Sequence, residues 1–303
     1  MKTSKGSSHG KIIWMGEHSV VYGYSAIALP LKQANVHITL EESTTNKLES
    51  IFYTGPMDKS PDFFMPIAFL FDSLQKYFNA PDMKVILSMT LVFAGGMGSS
   101  AAIACALTRA YYRFFDKEIT DQTLFEWIQL SERLAHQSPS GIDAHTVLSS
   151  NPIVFTKPSS IQPLMTSLTG YLVIVHSGIK GSTLEAVSLV KEQVLHNNGQ
   201  THIDSLGQLS LSFSRALEVH DHSLLGNFMN QAQEHLRALG VSHPAIEELI
   251  TLANSFGALG AKLTGGGLGG CMIAYFTCKN KLSDFINQLS HPYWIIDLEK
   301  DFV

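Results

Sequence analysis

Residues Gly95 to Ala102 read GGMGSSAA, and Ala101 opens the apolar run AAIACALTRAYYRFF. A glycine run, two hydroxyl residues and then an apolar segment of helical length place a tight turn at the start of a helix. Glycines let the backbone approach a ligand closely. The unpaired N–H groups of a first helical turn, with the helix dipole, favour an anion there. Ser99 and Ser100 add hydroxyls suited to a phosphate or to its Mg²⁺. Read alone, the segment fits either a phosphate cradle or a glycine turn with an ordinary serine N-cap. It is not a P-loop, because Ser99 stands where that pattern requires Lys. A second glycine run, GGGLGG at Gly265 to Gly270, spells the dinucleotide-binding fingerprint. That fingerprint opens a helix, whereas CMIAYF follows here and reads as a strand.

Composition narrows the partners. Of 303 residues, 45% are hydrophobic and 16% charged, which supports a sizeable core in one large domain or two ordinary ones. The net charge is −5, and there is no Lys/Arg run. Nucleic acid and an acidic membrane surface are therefore not expected as main partners. No signal-peptide pattern follows MKTSKGSSHG, and no run of about 18 apolar residues suggests a membrane span. Cys105, Cys271 and Cys278 are few, odd in number and lack zinc spacing, which fits a cytoplasmic protein.

Apolar periodicity predicts strands at Lys11–Met15, Asn35–Glu41, Lys84–Phe93 and Gly170–His176. Helices are predicted at Asp62–Phe78, from the glycine turn to about Phe115, and at Asp121–Ala135 with Thr120 as N-cap. Further helices are expected at Thr183–Leu195, Ile203–His220 and Ser223–Leu239, and from His243 with Pro244 in the first turn. The segment PSGIDAH reads as a turn. Ala258–Leu263, the second glycine run and Cys271–Phe276 read as strand, turn and strand. The prolines between 152 and 163 place a domain boundary near 168, giving domains 1–167 and 168–303.

Four polar islands interrupt this scaffold: GKIIWMGEHSVVYG (Gly10–Gly23), GGMGSSAA, ERLAHQSPSGID, and AKLTGGGLGGCM (Ala261–Met272). Together they offer what phosphoryl transfer requires: phosphate cradles, oxygen ligands for Mg²⁺, a cation, and a group to orient the attacking hydroxyl. The first, second and fourth resemble the three signature motifs of the kinase superfamily named for galactokinase, homoserine kinase, mevalonate kinase and phosphomevalonate kinase. SGIKGSTLEAV (Ser177–Val187) and GVSHPAIEELI (Gly240–Ile250) are similar to segments of its mevalonate-phosphorylating branch. The resemblance extends over most of the chain.

It implies an α/β (α+β) GHMP-kinase-like fold of two domains. The N-terminal domain would be ribosomal-protein-like and carry the phosphate loop, and the C-terminal one a ferredoxin-like sandwich. It also implies transfer of the ATP γ-phosphoryl group to the 5-hydroxyl of (R)-mevalonate with Mg²⁺, and it is compatible with a homodimer. By the same resemblance, Asp143 accepts or orients the hydroxyl proton and Lys11 stabilises the transferring group. Ser100 and Glu132 hold Mg²⁺, with Ser99 on phosphate, although the two serines could exchange roles. Gly95, Gly96, Met97, Gly98 and Ala101, with Gly266 and Gly267, line the nucleotide site. Glu17, His18, Thr183 and Gly265 line the substrate pocket, His18 binding the mevalonate carboxylate or a hydroxyl.

The chain departs from the family pattern at several positions. His9 and Val92 stand for Pro, Ala94 and Gln137 for Gly, Ala144 for Asn and His176 for Asp. None removes a proposed catalytic group. Three alternatives accompany the main reading: a sibling kinase for phosphomevalonate or a mevalonate analogue, a decarboxylase on the same scaffold, and a non-catalytic metabolite sensor.

Overall fold

The computed structural model describes residues 2–302 except 94, 136–139, 158–159, 165–166 and 197. Ala94, Gln137 and Pro139 of the motifs therefore lie outside the described residues. Two compact units emerge, each assembled from three stretches of chain. The first comprises Met1–Gly10, Ala34–Leu91 and Gly98–Ser149, and the second Lys11–Gln33, Val92–Met97 and Ser150–Val303. Two long strands, β1 (Thr3–Met15) and β2 (Ser25–Glu42), each run from one unit into the other. β1 begins eight residues before the predicted strand, through a polar stretch that apolar periodicity does not register.

In the first unit the Val36–Glu42 half of β2 pairs antiparallel with β5 (Met83–Met89). β5 pairs in parallel with β3 (Lys47–Glu49), and β3 pairs antiparallel with β4 (Thr54–Pro56). β5 stops at Met89, short of the predicted Phe93. The helices are α1 (Met65–Phe78), α2 (Ser99–Phe114), α3 (Asp121–Ala135) and α4 (Ile142–Leu148). α2 is the core helix. It is small and apolar on nearly every face, so it is buried all round rather than on one stripe. β1 meets it at Gly6, where a Cβ would stand 1.9 Å from the Ala106 carbonyl oxygen. α3 begins where predicted, and the Thr120 hydroxyl accepts the Thr123 N–H at 3.2 Å, as an N-cap does. α4 is a correction. PSGIDAH reads as a turn in the sequence, but from Ile142 onward it is helical, initiated by Gly141 at φ +90°.

In the second unit the Ser25–Ala28 part of β2 pairs with β6 (Ile153–Thr156), and β6 with β7 (Ser160–Pro163). The remainder is β8 (Tyr171–His176), α5 (Thr183–His196), α6 (Gly199–Glu218), α7 (His222–Ala238), α8 (Pro244–Ser255), β9 (Gly260–Thr264), β10 (Cys271–Phe276), α9 (Lys279–Ile286) and β11 (Tyr293–Asp297). β8 to β11 form an antiparallel sheet in the order β11-β8-β10-β9. Strand, helices, two strands, helix and strand in this order make the expected ferredoxin-like sandwich. β8, β9 and β10 are almost wholly buried. β9 is the sheet's edge, and its outward N–H groups at Ala261 and Leu263 donate to the Asn230 and Gln233 side-chain oxygens of α7. Two side-chain amides thus stand in for a missing neighbour strand.

Candidate active site

The glycine turn that opens α2 is divided between the units: Gly95–Met97 belongs to the second and Gly98–Ala101 to the first.

In the first unit, Gly98 adopts φ +68° and immediately precedes α2, whose first turn has no side-chain cap. The early N–H groups of α2 thus lack the usual side-chain oxygen acceptor, the arrangement that suits an anion. Ser99 is buried and Ser100 half-buried, while Ala101 faces the core. Glu132 lies on α3, which packs against α2, and is buried. Asp143 occupies the first turn of α4, half-buried, where an acidic side chain complements the helix dipole. α4 packs on both α2 and α3. Three neighbouring helices therefore carry Ser99, Ser100, Glu132 and Asp143. A hydroxyl and a carboxylate are hard oxygen donors of the kind Mg²⁺ takes. Among the described residues there is no cluster of three or more His, Cys, Asp or Glu that could hold a metal. A site completed by hydroxyl, phosphate and water matches this donor set.

In the second unit, Lys11 is buried. Its backbone N–H donates to the Met97 carbonyl at 2.9 Å, and its ammonium reaches the Gly96 carbonyl at 3.4 Å. The Gly95–Gly96 segment lies against the Gly265–Gly270 loop so closely that a Cβ at the contact would be crowded. A Cβ on Gly270 would stand 3.0 Å from the Gly95 oxygen, and one on Gly265 3.0 Å from the Gly96 Cα. Gly96, Gly266, Gly267 and Thr183 share one small pocket. Thr183, at the start of α5, is brought against Gly266 although the two are far apart in sequence.

His18 also reaches this loop. Its Nε2 lies 2.9 Å from the Gly266 carbonyl oxygen, which can only accept, so Nε2 carries the proton and donates. Nδ1 is left as an acceptor. Burial, with Lys262 adding to it, holds the His18 pKa down to about 4, so the ring is neutral near pH 7. Its backbone is strained, at φ +61°. Glu17 is fully buried, and Lys262 donates a hydrogen bond to its Oε1. Burial pushes the Glu17 carboxyl up and the Lys262 ammonium down, and each charge opposes the other's shift.

Lys262 was not singled out in the sequence. The available signal was one lysine inside the buried strand GAKLT. His176, at the end of β8, lies behind Gly95. Its Nδ1 accepts the Gly178 N–H at 3.1 Å, and its Cδ2 is 3.3 Å from where a Gly95 Cβ would be.

A glycine-capped helix start, a lysine on a glycine turn and a second glycine loop on a ferredoxin-like sheet define a small-molecule kinase of the GHMP type. Family models agree: GHMP kinases N terminal domain matches residues 67–150, and GHMP kinases C terminal matches 213–293. Together they take in more than half of the chain, which belongs to the GHMP kinase family. Within it, the chain is 29% identical over 299 residues to a mevalonate kinase of Aeropyrum pernix, covering 91% of this chain and 89% of that one. It superposes on the crystal structure of mevalonate kinase from methicillin-resistant Staphylococcus aureus with a TM-score of 0.76 at 29% identity, covering 99% and 100%. It shares the fold of L. major mevalonate kinase, solved in complex with R-mevalonate, with a TM-score of 0.81 at 24% identity over 97% and 95%.

Proposed function

We propose that this chain transfers the γ-phosphoryl group of ATP to the 5-hydroxyl of (R)-mevalonate, giving 5-phosphomevalonate for isoprenoid synthesis. One observation carries the reading: Lys11, Gly96, His18 and Gly266 meet at a junction of two glycine turns. A cation beside closely packed backbone suits a polyphosphate end, and a neutral histidine beside it suits an alcohol. The alcohol itself is taken from the similar mevalonate kinases.

In this reaction the hydroxyl oxygen forms a bond to the γ-phosphorus, the bridge to the β-phosphate breaks, and ADP leaves. Asp143 orients the hydroxyl and receives its proton. Lys11 stabilises the charge on the transferring group. Ser99 and the glycines at 95, 96, 98, 266 and 267 hold phosphate oxygens through hydroxyl and backbone N–H groups. Ser100 and Glu132 would hold Mg²⁺, which neutralises phosphate charge when bound. Because Nε2–H is committed to Gly266, His18 offers only an acceptor, and it takes a mevalonate hydroxyl rather than the carboxylate. Thr183 and Gly265 line the same pocket. Residues 1–167 are the ATP-binding half of the chain and 168–303 the other half, although Lys11–Gln33, Val92–Met97 and the stretch from Ser150 to Ser167 belong to the second compact unit; the protein acts as a cytoplasmic homodimer.

A coupled ADP-release assay with Mg·ATP and a panel of mevalonate, phosphomevalonate, homoserine and galactose tests the reading, with mass analysis of the products. Turnover of mevalonate alone, giving a product heavier by one phosphoryl group, is expected. Turnover of phosphomevalonate instead would assign a sibling kinase, and released CO₂ a decarboxylase. ATP binding without any turnover would assign a sensor.

A further inference from the structure

Both side chains of the Glu17–Lys262 pair are completely buried. Replacing a buried ion pair with well-packed apolar groups is often neutral or stabilising. Stability alone therefore does not account for two charges here. Direction does. The Lys262 ammonium is held at two points, by Glu17 and by the Leu263 carbonyl at 2.8 Å. Leu263 and Lys262 lie on β9, immediately before the Gly265–Gly270 loop. Glu17 is therefore tied to the strand that launches that loop. The next residue, His18, is tied to the loop through Gly266. Between these anchors the His18 backbone holds a left-handed conformation that a non-glycine residue adopts only under constraint. The Ser19 N–H closes the turn onto the Glu17 carbonyl at 2.7 Å.

Resting on the functional reading above, we propose that Glu17 and Lys262 are positioning residues. Their buried pair fixes the Glu17–His18 turn on the second glycine loop, so that His18 presents one tautomer and one acceptor to the substrate alcohol. Glu17 thereby acts through its neighbour and does not touch the substrate. The charged groups bearing on this turn, among the described residues, are Lys262 on β9 and Lys11 on β1.

The test begins with the wild-type enzyme and ¹⁵N-histidine NMR. His18 is expected as the neutral Nε2–H tautomer from pH 7 down to pH 5. An imidazole titrating at its ordinary value, about 6.5, would overturn the proposal. In the double variant Glu17→Leu/Lys262→Met the charges are replaced by apolar groups. The expected results are a folded enzyme, a mixed His18 tautomer titrating nearer its ordinary value, and a mevalonate KM raised roughly 10–100-fold, as misplacement by about 1 Å produces. The KM for Mg·ATP should stay within about twofold. Wild-type mevalonate KM and an unchanged His18 tautomer in that variant would sink the idea. Should the double variant not fold, Glu17→Gln, which keeps size and an acceptor for Lys262, is read the same way with smaller shifts. If the wild type binds ATP but phosphorylates no mevalonate, the functional reading fails, and the NMR result still decides the positioning role.

Discussion

The two units present their functional groups in contrasting ways. In the first, Ser100 and Asp143 stand on first helical turns, half-exposed, on helices that are themselves rigid core elements. In the second, Lys11, Glu17, His18 and Lys262 are buried and sit on strands and turns, Lys11 bonded to the Gly96 carbonyl, His18 to the Gly266 carbonyl and Lys262 to Glu17. A helix terminus supplies direction from its own backbone, so a side chain there needs little further support. A turn supplies none, and the second unit compensates with buried charges and a strained histidine. The first arrangement suits groups that change state during the reaction. The second suits groups that must not move.

The largest effect is expected at Asp143. Asp143→Asn should lower kcat by roughly 10²–10⁴-fold, the range of a general base, with an unchanged melting temperature. A folded variant with near wild-type kcat would remove the chemical role from the first unit and break the contrast. Lys11→Met comes next. It tests whether the second unit also holds a group that acts on the transition state, with an expected fall in kcat of about 10²–10³-fold. A change confined to KM would place Lys11 with the fixed groups instead.

Acid stability sharpens the contrast without any assay of turnover. The folded His18 pKa of about 4 lies below the ordinary 6.5. Below pH 6.5 the unfolded chain binds a proton that the folded one refuses, so stability is complete above pH 6.5 and falls as the pH drops toward 4. The loss from this group is on the order of 3 kcal/mol. Burial lowers the pKa of His145, His176 and His235 in the same direction. The informative quantity is therefore the difference between wild type and His18→Gln, measured by urea unfolding at pH 7 and pH 4.5. Equal pH slopes in the two proteins would show that His18 is not the buried neutral group described.

The smallest effect concerns the edge of β9. Gln233→Leu leaves the Leu263 N–H without its acceptor and removes the amide that donates to Ser242 and Glu247, while Arg237 and the Ser242 hydroxyl still donate to Glu247. A loss of about 1–3 kcal/mol is expected from calorimetry, with kcat little changed. A large fall in kcat at unchanged stability would mean that the second loop is less rigidly supported than its hydrogen bonds imply.

Much of this architecture was legible in the chain. α2, α3, α5, β8 and β10 lie within a residue or two of their predicted bounds because each carries a helical apolar period or an unbroken apolar run with a glycine, threonine or serine at its edge. α4 was not, because its seven residues carry too little periodicity to outweigh the Pro-Ser-Gly turn signal before it. The N-terminal part of β1 carries no apolar period, because its side chains are mostly polar, and it is a strand through its place in a sheet where β1 pairs β2.

By itself, then, the sequence determined the glycine turns, the core helix behind the first of them and the resemblance of its polar islands to one kinase superfamily. All of these are local, written in neighbouring residues and in backbone freedom. Only the tertiary structure decided that Lys262 meets Glu17, 245 positions away, and that Gly266 takes the proton-bearing nitrogen of His18. No local rule encodes such pairings. Whether a charge is buried, and what it must then be paired with, depends on which distant strands the fold brings together.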